Sequence, residues 1–268
     1  MRRMTANLAI VVSGALVLAA QPTSLMAQRN TVLANGGLLH TLEASPVMGE
    51  PYSAIEVSKL VRTLADGATI KKGPGAGHAV MRDSNGRVRI EKRLTQPHGG
   101  DPGTLLVFVL DPVAHRLLTW NTEPKGERVA LEIQLSDEKK VKPATRVTTP
   151  SREDGRPAPT VKTEDLGTEM LENVPVQATK TTTLIPAGRA GNDLPITRTS
   201  EVWVSPELQL VMKQQVTDPR TGEVTVWMSN LSRAEPDASL FRAPAGYTVK
   251  TLKQTMEEMA QRVAQMPE

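Results

Sequence analysis

The chain has 268 residues, 39% hydrophobic and only 3% aromatic, with 32 Lys and Arg, 29 Asp and Glu, and no cysteine. The lack of cysteine excludes disulfides, thiol catalysis, thiolate metal sites and a lipid-modified N-terminal cysteine. A net charge of +3 gives no electrostatic case for nucleic acid, and part of it sits in a segment expected to be removed.

That segment is residues 1–27, which read as a secretory signal. Arg2 and Arg3 form a positive start, and Leu8 to Ala20 is an apolar run broken only by Ser13 and Gly14. The run is shorter than the roughly 18 residues a membrane-spanning helix needs. Gln21 to Ser24 breaks it, and a small residue, Ala27, precedes Gln28, which places cleavage between the two. The remainder holds thirty basic and twenty-nine acidic residues, nearly neutral and with no transmembrane segment.

Residues 28–50 are weakly patterned and read as a loosely ordered lead-in to one β-rich domain over 51–250. From Ser53 the chain alternates, with Ile55, Val57 and Val61 on one face and Glu56, Ser58 and Arg62 on the other, as in a half-buried strand. A hairpin follows, Ala79–Asp83 and Val88–Leu94 around Ser84-Asn85-Gly86-Arg87, where Asn-Gly suits a type I′ turn. If the loop is only Asn85-Gly86, Arg82 faces Arg89, a like-charge pair that an anion would relieve, as would water, Glu56 or Glu91. Leu105–Leu110 is continuously apolar, as in a strand covered on both faces. Leu117–Trp120 and Val129–Leu135 return to strand patterning after the Asp111-Pro112 turn.

Residues 136–165 break the pattern: thirteen of the thirty are charged and four are proline, so the segment reads as a mobile charged insertion or an interdomain linker. Strands resume at Val176–Ile185, Ile196–Val204, Leu208–Val216 and Glu223–Leu231. The expected fold is therefore mainly β, an antiparallel sheet that curls or closes. It ends in an amphipathic helix over 251–264, opened by the capping box Thr251-Leu252-Lys253-Gln254, with Leu252, Met256, Met259 and Val263 on one face. That face needs an apolar partner, and the uncovered side of the sheet is the nearest one.

No catalytic residue and no metal ligand set emerges. His40, His78, His98 and His115 are scattered and lack metal-ligand spacing. Gly73-Pro74-Gly75-Ala76-Gly77 runs into a strand rather than a phosphate-binding helix, so no cofactor is implied. The candidate ligand-binding residues are Arg82 and Arg89, the scarce aromatics Trp120, Trp203 and Trp227, and the adaptable Met256 and Met259.

Turn motifs carry a family resemblance. Leu64-Ala65-Asp66-Gly67, Arg82-Asp83-Ser84-Asn85-Gly86-Arg87, Ile185-Pro186-Ala187-Gly188 and Gly191-Asn192-Asp193 belong to it. So do Trp203-Val204-Ser205-Pro206-Glu207-Leu208 and Asp218-Pro219-Arg220-Thr221-Gly222-Glu223. The most specific stretch is Glu235-Pro236-Asp237-Ala238-Ser239-Leu240-Phe241, followed by Pro244-Ala245-Gly246-Tyr247. Together they resemble a family of exported proteins from environmental bacteria over about residues 55–250. More distantly, the string of hairpins looks like the periplasmic lipoprotein-carrier superfamily of LolA, LolB and the N-terminal domain of RseB. That resemblance implies a strongly curved, half-barrel-like antiparallel sheet, in a periplasmic or secreted, non-enzymatic domain that binds or senses a lipophilic or lipid-linked ligand through an apolar cavity. An envelope protein–protein module and a hydrolase with a scattered site are the alternatives.

Overall fold

The computed structural model describes residues 46–64, 66–73, 77–93, 104–122, 127–135 and 157–264, without the side chains at 259 and 262–264. The expected cleavage point Ala27/Gln28, the lead-in up to residue 45 and residues 136–156 of the charged insertion lie outside the described residues.

The architecture is mainly β, as expected. Thirteen strands among the described residues form one sheet: β1 (Tyr52–Thr63), β2 (Thr69–Lys72), β3 (His78–Arg82), β4 (Val88–Arg93), β5 (Leu105–Asp111), β6 (Arg116–Asn121), β7 (Val129–Gln134), β8 (Thr160–Leu171), β9 (Val174–Ile185), β10 (Ile196–Ser205), β11 (Leu210–Asp218), β12 (Gly222–Ser232) and β13 (Thr248–Thr251). The helix α1 (Leu252–Ala264) closes the described chain. The strand order is β13-β7-β6-β5-β4-β3-β1-β12-β11-β10-β9-β8, with β2 beside the far half of β1. Neighbours are hairpin-connected and antiparallel for the most part; β13 joins β7 in parallel.

Apolar residues at alternate positions of these strands build two cores. The larger gathers Tyr52, Val80, Ile90, Leu117, Ile133, Val176, Trp203, Leu210 and Met228, so both arms of the sheet contribute. The smaller holds Val107, Val109, Leu118, Trp120 and Ala130 with Phe241. Strand β5 serves both, because Phe108 and Leu110 turn to the first core while Val107 and Val109 turn to the second. The continuous apolar run expected there is thus explained by burial on both faces.

Three expectations need correction. Residues 46–50 are not a loose lead-in: Val47 is buried, Gly49 N donates to Ser84 O (2.9 Å), and the Glu50 carboxylate pairs with Arg233 at 2.5 Å. The charged insertion ends early, because residues 160–165 belong to β8 and pair with β9. As an edge strand exposed on both faces, β8 needs no apolar alternation, so its sequence resembles a loop. Finally, the face of β1 expected to meet solvent is buried at Glu56.

The helix starts where expected, and its capping box forms. Thr251 N donates to Gln254 Oε1 (2.9 Å) and Gln254 N to Thr251 Oγ1 (3.2 Å). Only part of the expected apolar face is used among the described side chains. Leu252 packs on the larger core, while Met256 is 56% exposed. The exposed face of β5–β7 is covered instead by residues 235–247. Accordingly, Met256→Asp should change stability by no more than about 0.5 kcal/mol, as for a surface position. Phe241→Ala, at a buried position, should cost about 3 kcal/mol. Urea denaturation of the two variants checks this contrast.

Candidate functional site: an arginine-rimmed groove beneath the C-terminal strap

The hairpin β3–β4 does not form a type I′ turn. Asn85 keeps a negative φ, and Gly86 alone is left-handed at +74°. Gly86 N donates to Asp83 O (2.9 Å), which gives a type I turn followed by a left-handed glycine. The physical reason is Asp83, whose carboxylate accepts from Arg87 N (2.8 Å) and Arg87 Nε (2.7 Å) and so fixes the longer loop. The register then pairs Arg82 with Val88 and Met81 with Arg89. Arg82 and Arg89 consequently lie on opposite faces rather than across from one another.

Both guanidiniums are buried. Arg82 donates to Glu50 O (3.0 Å) and Leu208 O (2.7 Å) and lies over the Tyr52 ring. Arg89 donates to Glu91 Oε1 (2.8 Å) and Leu240 O (2.6 Å) and lies over Trp120. Each ties a distant backbone segment to the hairpin; of the two acids expected to compensate them, Glu91 pairs with Arg89, and no pair of either arginine with Glu56 is found among the described residues.

The segment Glu235–Tyr247 forms a strap over the second core. Its Glu235 carboxylate accepts from Ser84 N (3.0 Å) and from the Ser84 hydroxyl. Asp237 accepts from Ser239 N (2.8 Å) and opens a 3-10 turn, Ala238–Phe241, which drives Phe241 into the core under the Arg87 guanidinium. Tyr247 Oη donates to Asn121 O (2.6 Å). The motif residues singled out as most specific are therefore the anchors of this strap.

A groove of about 470 Å³ opens between the strap and β6–β7. Leu118, Phe241, Ala243 and Val249 give it an apolar floor, and Arg87, Arg116, Arg242 and Glu132 rim it. Arg87 is held by Asp83 at 2.6 Å, and Arg116 makes only long pairs with Asp111 (3.5 Å) and Glu132 (3.4 Å). Arg242 is exposed, and no ion pair to it is found among the described residues. The rim therefore sets guanidiniums, of which Arg242 has no acidic partner among the described residues, over an apolar floor, an arrangement suited to an anionic amphiphile.

Among the described side chains the other expected site residues do not join this groove, and the Met259 side chain lies outside them. Trp120 underlies it in the second core, and Trp203 sits in the larger core with its indole N–H donating to Glu169. Trp227 is half-buried on β12, paired with Val57 and Lys213. Sequence reasoning missed Arg87, Arg116 and Arg242 because they come from three separate segments. The strap motif was the available signal.

A second buried ionisable group stands apart. Glu56 pairs across strands with Met228 and His78, and burial pushes its carboxyl up to about 8. No hydrogen bond or ion pair to its side chain is found among the described residues. His78, half-buried on the same face, is held below its usual range by burial and by the charge of Lys92. Among the described residues no group of three or more potential metal ligands exists.

Because the folded carboxyl binds its proton more tightly than the unfolded one, the stabilising contribution is complete below about pH 4.5. It is lost as pH rises through about 8. Glu56→Gln should therefore stabilise the protein by a few kcal/mol at pH 9 and leave it nearly unchanged at pH 4. Thermal unfolding of both forms across this range provides the check.

No protein-family profile matches the sequence, and neither does any curated protein. Solved structures give distant likenesses of the sheet architecture. A conserved protein of Thermus thermophilus is 9% identical, with 84% of this chain and 99% of that one covered and a TM-score of 0.37. The Pseudomonas aeruginosa MucA/MucB complex is 15% identical over 80% of this chain and 62% of that one, at 0.39. A LolA superfamily protein of Nitrosomonas europaea is 11% identical over 76% and 95%, at 0.29. The chain thus spans about three fifths of the matched chain of the MucA/MucB complex.

Proposed function

We propose that this is an exported, non-enzymatic domain of the cell envelope that binds an anionic lipophilic ligand in the groove under the strap. The observation that carries the reading is the set of three guanidiniums, Arg87, Arg116 and Arg242, above a floor of Leu118, Phe241, Ala243 and Val249. A lipid headgroup carries the negative charge such a rim attracts, and the acyl chain supplies the apolar surface. Export rests on residues 1–27, and the periplasm is the destination. The strong curvature expected of the sheet is part of this proposal. It is supported by Leu231 N donating to Glu172 Oε2 (3.2 Å), although β11 and β10 lie between β12 and β9 in the sheet order. In a flat sheet those strands would stand about 14 Å apart.

Two measurements test the proposal. The protein recovered from the periplasm should begin at Gln28 by N-terminal sequencing; a retained N-terminus in the membrane fraction refutes the export reading. The same material should float with phosphatidylglycerol-containing vesicles and not with pure phosphatidylcholine. Arg242→Glu should weaken that binding at least about tenfold without lowering the unfolding midpoint. Equal flotation of the wild-type protein and the Arg242→Glu variant would remove the groove from consideration.

A further inference from the structure

We propose that β8 is a self-association edge, on which a second copy of this chain adds its own β8 antiparallel across a two-fold axis between Asp165 and Leu166. The two ends of the sheet are unlike. The β13 end is a four-residue strand followed at once by α1, whereas the β8 end is twelve residues long and exposed along nearly its whole length. Among the described residues no strand pairs with its outer edge, and an edge strand of that length presents a row of unpaired backbone groups, which natural proteins commonly shorten, cover or charge. Here Val161 and Met170 are 61% and 62% exposed near its two ends.

The register against β9 shows why the partner is the same strand. Val161, Thr163 and Asp165 lie opposite Thr183, Thr181 and Thr179, so they share one face. Lys162 and Glu164 take the other face, opposite Thr182 and Lys180. A register shift between Asp165 and Gly167 then resets the alternation. Beyond it, Thr168 and Met170 return to the face of Val161, and Gly167 and Glu169 fall on the face of Lys162.

Laid antiparallel on itself about the 165/166 midpoint, the strand sets Val161 against Met170, Lys162 against Glu169, Thr163 against Thr168 and Glu164 against Gly167. Every one of these pairs falls on a common face, and this holds only because of the shift. In an unshifted strand the same pairs would point to opposite sides. The result is apolar against apolar at the ends, opposite charges next, and hydroxyl against hydroxyl inside. At the centre the Asp165 carboxylate is already satisfied by Gly167 N (2.8 Å). An isologous contact of this kind is the commonest form of dimer.

The test uses the secreted chain in sedimentation equilibrium across a range of concentration. The wild-type protein should be a concentration-dependent dimer. Lys162→Glu and Glu169→Lys each place like charges at both symmetric pairs and should weaken the dimer about tenfold or more. Mixed together, the two variants restore opposite charges at both pairs and should form a heterodimer of near wild-type affinity. Because Glu169 also holds the Trp203 indole, Met170→Lys serves as a second variant, at an exposed position, and should weaken the dimer without altering the unfolding midpoint. A wild-type chain that stays monomeric overturns the proposal and leaves the edge to a strand from a different protein. A dimer that survives both charge reversals, or single variants that do not pair on mixing, overturns it as well and places any contact elsewhere.

Discussion

The arrangement of this molecule depends on the double-sided burial of β5 and its neighbours. A strand with six consecutive apolar residues, Leu105 to Leu110, needs cover on two sides. The larger core, which joins Leu117 and Ile133 to Val176 and Leu210, supplies only one of them. The second side carries Val107, Val109, Leu118 and Trp120 and would otherwise face water. Burial of side chains this large is worth roughly 1.5–3 kcal/mol each. The chain provides the cover after β12, where the strap brings Phe241, Leu240 and Tyr247 onto that face. Its return as β13 along β7 follows from the same requirement, since the strap must end beside the strands it covers.

Buried arginines make that cover specific. A guanidinium inside a core is costly unless its donors are used. Arg89 reaches a strap carbonyl, and Arg82 reaches the carbonyls of Glu50 and Leu208. The hairpin β3–β4 is thus a clamp, one arginine on each side of the sheet, holding the lead-in, the β10–β11 turn and the strap in register. Each aromatic beneath a guanidinium, Tyr52 for Arg82 and Trp120 for Arg89, contributes apolar area and a cation–π contact.

Much of this was legible in the sequence where the physics is local. Strand patterning placed β9 to β12 and the short strands β3, β4, β6 and β7, a continuous apolar run placed β5, and the capping box placed α1 within a residue. The hairpin register was misread because Asn85-Gly86 carries a strong turn preference, which Asp83 overrides by binding Arg87 from outside the expected two-residue loop. The start of β8 was missed because a strand exposed on both faces has no hydrophobic period to read. Glu56 was placed on a solvent face because alternation alone shows which residues share a side and never which side is covered. The groove was invisible for a different reason: its lining comes from residue 87, from 116–132 and from 241–249, and only the strap brings these together.

The groove and the strap are one structure, and this decides which of its residues can carry a binding function. Phe241 floors the groove and also closes the second core, and Arg87 stacks on it while neutralising Asp83 in the hairpin turn. Losses at either position would mix binding with folding. Arg116 and Arg242 have no comparable duty: one makes only long pairs on a half-exposed side chain, and the other projects from the exposed return of the strap. A charge that the fold does not require, at the rim of an apolar depression that the fold does require, is the pattern expected when the site has been added to the scaffold. The buried Glu56 shows the reverse pattern. It is costly to the fold at neutral pH, and it does not line the groove. Its carboxyl lies within the sheet, apart from the arginines that rim the groove.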